Sequence, residues 1–251
     1  VKEINSIEDF LNEIFIIQKE IDIYNNDYNS IKHKCLAFRG QENQQFKLLP
    51  SIGRGHIIEQ ERNLIELSKY RMPNIFKSDL IPIDLLALLQ HYGIPTRLLD
   101  VTSNPLVALY FATAGIQSDG EVFVFEYNDS DLTNYPIINA IAESYKFAND
   151  IDLVSFFDDI FIQPYFGEQR NSFKNETDEQ KGKWIKDCCK DLIFVKAAEK
   201  LERQKLQQGY YILFPNKIYE CCNRLYFDKE INPIDKNDEQ IKAKYIIKKE
   251  A

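Results

Sequence analysis

Arg39, between Phe38 and Gly40 at the end of an apolar segment, is the residue best placed to do chemistry in this sequence. A planar guanidinium holds phosphate or carboxylate through two parallel hydrogen bonds. The glycine beside it permits a sharp exit from the strand. The competing reading is an arginine paired with a nearby carboxylate to close the strand end, and the pattern alone favours that one. A second set lies within Leu85–Ala112, LLALLQHYGIPTRLLDVTSNPLVALYFA, where His91, Arg97, Asp100, Thr102 and Ser103 interrupt an apolar run. An unpaired charge buried there costs ~3–5 kcal/mol. Arg97 and Asp100 are therefore expected to form a buried pair, and Asp100→Ala to loosen the fold. Thr102 and Ser103 precede a helix start, where such groups cap free backbone N–H groups or share the terminus with an anion. His91 reads first as a packed or capping side chain and second as a site residue. Gln207-Gln208-Gly209 opens an aromatic strand with two amides able to bond a sugar hydroxyl, and Glu199 and Glu202 bring carboxylates just upstream.

The elements that position these groups follow from periodicity. Ser6 with Asp9 resembles a capping box, and Phe10, Ile14, Ile17 and Ile21 continue at helical spacing. Cys35–Phe38 reads as a short buried strand. Ile57–Tyr70 reads as a helix with Glu59, Glu61 and Glu66 on its polar side. Pro82 starts a helix to Tyr92 that Gly93 and Pro95 end. Arg97–Thr102 is extended or looped. Ser103-Asn104-Pro105 reads as an N-cap with proline in the first turn of the helix to Ala114. A strand is expected at Glu121–Tyr127, helices at Ile137–Ala148 and Asp178–Leu201, and strands at Tyr210–Phe214, Ile218–Phe227 and Tyr245–Lys248. Glu168–Gly182 is the most polar stretch and reads as a loop or insertion. Helices dominate the middle and strands recur on both sides without regular alternation, which gives an α+β fold.

Composition narrows the function. The 251 residues hold 39 acidic and 31 basic side chains, a net charge of −8 that disfavours a nucleic-acid partner. Five cysteines, four of them in two adjacent pairs and none in a C-x-x-C, make a poor disulfide framework and a poor metal site. They read as reduced thiols of a cytoplasmic protein. No apolar run reaches the ~20 residues of a membrane span. The polar start and the strand-like end read as cut edges of a longer chain. Triad, HExxH, Walker and G-x-G-x-x-G patterns are absent, which disfavours common hydrolases, zinc peptidases and the usual nucleotide folds.

Taken together, Phe38-Arg39-Gly40-Gln41, Leu49-Pro50-Ser51 with Arg54, the run Leu89–Asp100, Thr102, Asn104-Pro105, Ala108 and Phe111-Ala112 resemble the FRG domain family. Arg203 and Gln207-Gln208-Gly209 are similar to its late signature. The resemblance spans residues 5–250, so residues 1–251 are expected to form a single FRG domain. A weaker resemblance, to ADP-ribosyltransferases, implies a mixed sheet core with flanking helices and NAD as substrate. By that resemblance Arg39 holds an NAD phosphate and Thr102 or Ser103, with His91, supports the ligand. Gln208, or Glu202 in another register, takes the late position where those enzymes carry Glu. The implied activity is transfer of ADP-ribose to a target protein or to water. The alternative is a module of a prophage or defence system that binds a nucleotide or a partner without catalysis.

Overall fold

The embedded charges of Leu85–Ala112 sit in a helix–strand–helix unit at the centre of the molecule. The computed structural model describes residues 2–28, 30–115, 118–129, 135–148, 150–197 and 209–249. In chain order the elements are β1 (Lys2–Ile4), α1 (Ile7–Asn25), β2 (Lys34–Gln41), α2 (Glu61–Arg71), α3 (Pro82–His91), β3 (Leu98–Thr102), α4 (Pro105–Thr113) and β4 (Gly120–Asn128). They continue as α5 (Tyr135–Ala142), α6 (Leu153–Phe161), α7 (Asp178–Cys188), β5 (Ile193–Val195), β6 (Gly209–Leu213), β7 (Ile218–Cys221), β8 (Arg224–Phe227) and β9 (Ile241–Ile247). Seven strands form a mixed sheet in the order β1-β9-β4-β2-β3-β6-β5, in which β1 runs parallel to β9 and the other neighbours are antiparallel. β7 and β8 make a separate hairpin. The expected α+β class, a mixed sheet with flanking helices, is what the chain adopts.

Successive strand side chains alternate between faces, and the cores divide accordingly. α1 and α4 cover Leu36 and Phe38 of β2, Val122 and Val124 of β4, and Tyr245 and Ile247 of β9. Helices α2, α3, α5, α6 and α7 cover Leu98 of β3, Ile193 and Val195 of β5, and Tyr211 and Leu213 of β6. Phe38 lies opposite Thr102, so Leu98, Asp100, Thr102 and Phe38 share one face. The opposite face, with Ala37, Leu99, Val101, Phe123 and Phe125, packs against Leu48, Leu49, Ile52, Ile231 and Ile234 from loops.

Two glycines seat α4 on the sheet. A Cβ at Gly40 would lie 1.7 Å from the Ala108 carbonyl oxygen, and one at Gly120 would lie 1.9 Å from that of Ala112. The glycine after Arg39 is therefore demanded by the close approach of a helix. Gly93 works differently. At φ +78° it ends α3, with Ile94 N–H donating to the Leu89 carbonyl and Gly93 N–H to that of Gln90. This is the paired-bond ending that glycine favours.

Several boundaries differ from the sequence reading. The N-terminal segment that reads as merely polar contributes β1, because its backbone pairs with β9. Residues 57–60 form a 3₁₀ turn before α2. The helix expected over Asp178–Leu201 ends at Cys188, and Ile193–Val195 instead pairs with β6. Glu168–Gly182 holds part of a 3₁₀ helix and the start of α7, whose Thr177 and Gln180 form a capping box.

Candidate functional site

The expected Arg97–Asp100 pair does not form. The two residues are three apart on an extended segment, so the pleat sends their side chains to opposite faces. Arg97, 2% exposed, pairs with Glu61 of α2, which is 3% exposed. Its Nε donates to Glu61 Oε1 at 2.7 Å and its Nη2 to Oε2 at 2.6 Å. Nη1 donates to Asn216 Oδ1 at 2.5 Å. Glu61, expected on a polar helix face, is thus an interior counter-ion. Helical spacing alone cannot reveal it, because the partner lies 36 residues away.

Freed from Arg97, Asp100 is exposed, and its Oδ1 accepts from Gln90 Nε2 at 2.8 Å. Gln90 Oε1 accepts from Thr96 Oγ1 at 2.5 Å. Thr96 Oγ1 also accepts from Leu98 N–H, and Thr96 N–H donates to Ser51 Oγ. These bonds tie the end of α3, the Leu49–Ser51 turn and the start of β3 together. They account for the polar residues of the Leu89–Asp100 run as joints between elements.

Arg39 stands where the sheet splits. β2 and β3 pair at one position only, Phe38 with Thr102. Beyond it, the Asp100 backbone carbonyl accepts from Arg39 Nη1 at 2.6 Å. Arg39 Nε is buried and makes no hydrogen bond among the described residues. Burial draws the guanidinium below its ordinary pKa; the Asp100 charge opposes this, and Arg54 adds to it. Arg54 is exposed and donates to the Leu49 carbonyl at 3.3 Å. Neither arginine forms a salt bridge among the described residues. A guanidinium with an unbonded buried N–H, felt by a second cation, suits an anionic ligand.

The other candidates divide. Thr102 is buried at the end of β3, opposite both Phe38 and Gly209, and its Oγ1 accepts from Asn104 N–H at 3.1 Å. Ser103 follows, half-buried. The cap of α4 is Asn104, whose Oδ1 accepts from Leu106 N–H. Arg39 and Thr102 thereby lie on neighbouring strands with Ser103 just past the end of β3, and alternation from Phe38 puts the Arg39 side chain on the face opposite Thr102. His91 is exposed at the end of α3 with its ring edge-on to Tyr92, and no hydrogen bond among the described residues joins it to Arg39 or Thr102. Gln208 and Glu202 lie outside the described residues, although Gly209, next in sequence after Gln208, pairs with Thr102. Gln90 and Arg54 were not read as site residues. Both belong to the residues that carry the family resemblance, which is their available signal.

Among the described residues no cluster of three potential metal ligands occurs, and no helix is long and apolar enough to cross a membrane. No curated protein and no solved structure matches the chain. The family model of the FRG domain matches residues 34–121, a segment that begins with β2, ends in β4 and contains Arg39, Arg54, Gln90, Asp100 and Thr102. The late residues Arg203 and Gln207–Gly209 lie beyond it. On this segment, which holds the split strands and the helix seated over them, the chain carries an FRG domain.

Proposed function

We propose that this FRG domain binds NAD at the β2–β3 split and cleaves its nicotinamide–ribose bond, passing ADP-ribose to water or to a target protein. The observation that carries the reading is the buried, unbonded Nε of Arg39. An unsatisfied buried donor costs ~1–3 kcal/mol, and a phosphate oxygen would satisfy it. Arg54 adds a second positive charge, as a dinucleotide with two phosphates requires. The strands β2, β3 and β6 are neighbours. Arg39 of β2 and Thr102 of β3 lie on neighbouring strands, and Gly209 opens the next strand, β6, which is the strand order that the transferase resemblance implies. Arg39 would hold a phosphate and Thr102 or Ser103 the nicotinamide ribose.

A second reading, binding of the nucleotide without cleavage, is favoured by Gln208, which carries no charge where the transferases carry Glu. Calorimetry with NAD and a nicotinamide-release assay separate the two. The expected result is binding and slow release by the wild type, and loss of both in Arg39→Ala. Binding without release selects the second reading. A wild type that neither binds NAD nor releases nicotinamide overturns both.

A further inference from the structure

The sequence carries two adjacent cysteine pairs, and the fold treats them differently. Cys188 and Cys189 end α7 and pack against the helical core, and burial pushes the Cys189 thiol well above its ordinary pKa. Cys221 and Cys222 are both exposed at the tip of the β7–β8 hairpin. Cysteine is among the most buried residue types, and neither of these two belongs to a core. We propose that Cys221 and Cys222 form a dithiol site for a soft, three-coordinate metalloid ion of the arsenite class. The proposal is independent of the NAD reading.

The backbone makes the pair. Cys221 is the last residue of β7 and lies opposite Arg224. Cys222 and Asn223, between them, have φ of +50° and +61°, the two left-handed residues of a tight hairpin turn. Glycine and asparagine are favoured at such positions, and a cysteine there is uncommon. On a continuing strand, neighbouring side chains point to opposite faces. The turn ends that alternation, and the two Sγ atoms lie 3.7 Å apart. Below the turn Tyr219 stacks on Tyr226 across the hairpin and Phe227 is buried, so the tip stands on a fixed base.

Closure to a disulfide is opposed by geometry, since neighbouring Cα atoms are ~3.8 Å apart, short of the ~4.4–6.8 Å of ordinary disulfides. A bridging atom fits better. Thiolate bonds to a soft centre are ~2.3 Å long, as to zinc, and two of them at roughly a tetrahedral angle span ~3.8 Å. Zinc needs four ligands, and among the described residues no group of three His, Cys, Asp or Glu side chains could hold a metal. Trivalent arsenic needs only three, here two thiolates and one hydroxyl from water. On binding, two S–H bonds and two As–OH bonds break, two As–S bonds form and two waters leave. Arsenic keeps its oxidation state, so no oxidant or reductant is required.

The test is arsenite added to the reduced, folded protein in excess monothiol, followed by alkylation and mass spectrometry, with zinc in a parallel titration. The wild type should take up a single arsenic per chain, and the peptide holding residues 221–222 should escape alkylation. An excess of a small dithiol should release the arsenic. Cys221→Ser should weaken uptake on the order of 100-fold, the loss expected when a second, linked bond is removed. Cys222→Gly should do the same while melting no lower than the wild type, because glycine suits the positive φ. Uptake that survives in both variants, or that maps to Cys188 and Cys189, overturns the site. A wild type that takes up no arsenic does so equally. Zinc held as tightly as arsenite overturns the three-coordinate assignment.

Discussion

Arg39 and Arg97 lie next to the same strand, β3, and are used in opposite ways. Arg97 engages all three guanidinium nitrogens, two on Glu61 and one on Asn216. Arg39 engages one, on a backbone carbonyl, and its buried Nε has no partner among the described residues. Both are costly to bury, and among the described residues only Arg97 is compensated. A saturated buried arginine is a joint of the scaffold, whereas an unsaturated one beside a second cation suits a ligand. The same contrast sorts their carboxylates: Glu61 is enclosed, and Asp100 is open.

The largest effect that could break this comparison is on stability. Glu61→Ala leaves Arg97 buried without its counter-ion, a loss of ~3–5 kcal/mol. At ~2–4 °C per kcal/mol for a chain of this size, the melting temperature should fall on the order of 10 °C. Asp100→Ala loses one exposed hydrogen bond and should stay within about 1 kcal/mol of the wild type. Arg39→Met should also melt close to the wild type, because it removes an unsatisfied donor along with its bond to the Asp100 carbonyl. If Asp100→Ala melts as low as Glu61→Ala, the division between scaffold and site is wrong.

The next effect sharpens the role of the glycine beside Arg39. Gly40→Ala drives a methyl group into the Ala108 carbonyl, with 1.7 Å between the atoms, and must push α4 off the sheet. Overpacking of this kind costs ~1–3 kcal/mol or more. At Gly93 a Cβ meets nothing within 4 Å, and only the φ of +78° is strained. Gly93→Ala should therefore cost about 1 kcal/mol. A comparison of the two by chemical denaturation checks whether Gly40 serves packing or backbone freedom.

Local signals in the sequence carried much of this. The capping Ser6, Pro82 in the first turn of α3 and Gly93 at its end mark helix boundaries through bonds between near neighbours, and they stand where the residues predict. The anomaly of charges inside Leu85–Ala112 correctly marked the centre of the fold. It could not identify the partner of Arg97, since Glu61 is 36 residues away and sits on a helix whose polar face looked solvent-facing. Pleat parity in fact argued against Arg97–Asp100, because residues three apart on a strand diverge. β5 reads as helix because three apolar residues behind α7 fit either period. Its strand state comes from pairing with β6. The strand and strand-end positions of Arg39, Thr102 and Ser103 are legible from residue type. The split between β2 and β3 that leaves Arg39 unsatisfied is a property of sheet register, which no single segment encodes.

The smallest effect concerns the start of α4, where scaffold and site meet. Asn104 caps this helix, accepting from Leu106 N–H at 3.0 Å, and its own N–H goes to Thr102 Oγ1. Asn104→Ala should lower stability by about 1 kcal/mol. Asn104→Asp should restore it, since an acidic group suits both the cap and the positive end of the helix dipole. The comparison between the two arginines then makes a sharper demand. If Asn104 belongs with Arg97 as a joint, the aspartate variant keeps the fold and, by adding a negative charge next to Thr102-Ser103, weakens an anionic ligand held by Arg39. Melting and NAD calorimetry on the same two variants separate these roles. Recovery of stability with weakened binding places Asn104 at the boundary. Recovery of both puts the ligand away from the α4 start and leaves Arg39 as its anchor.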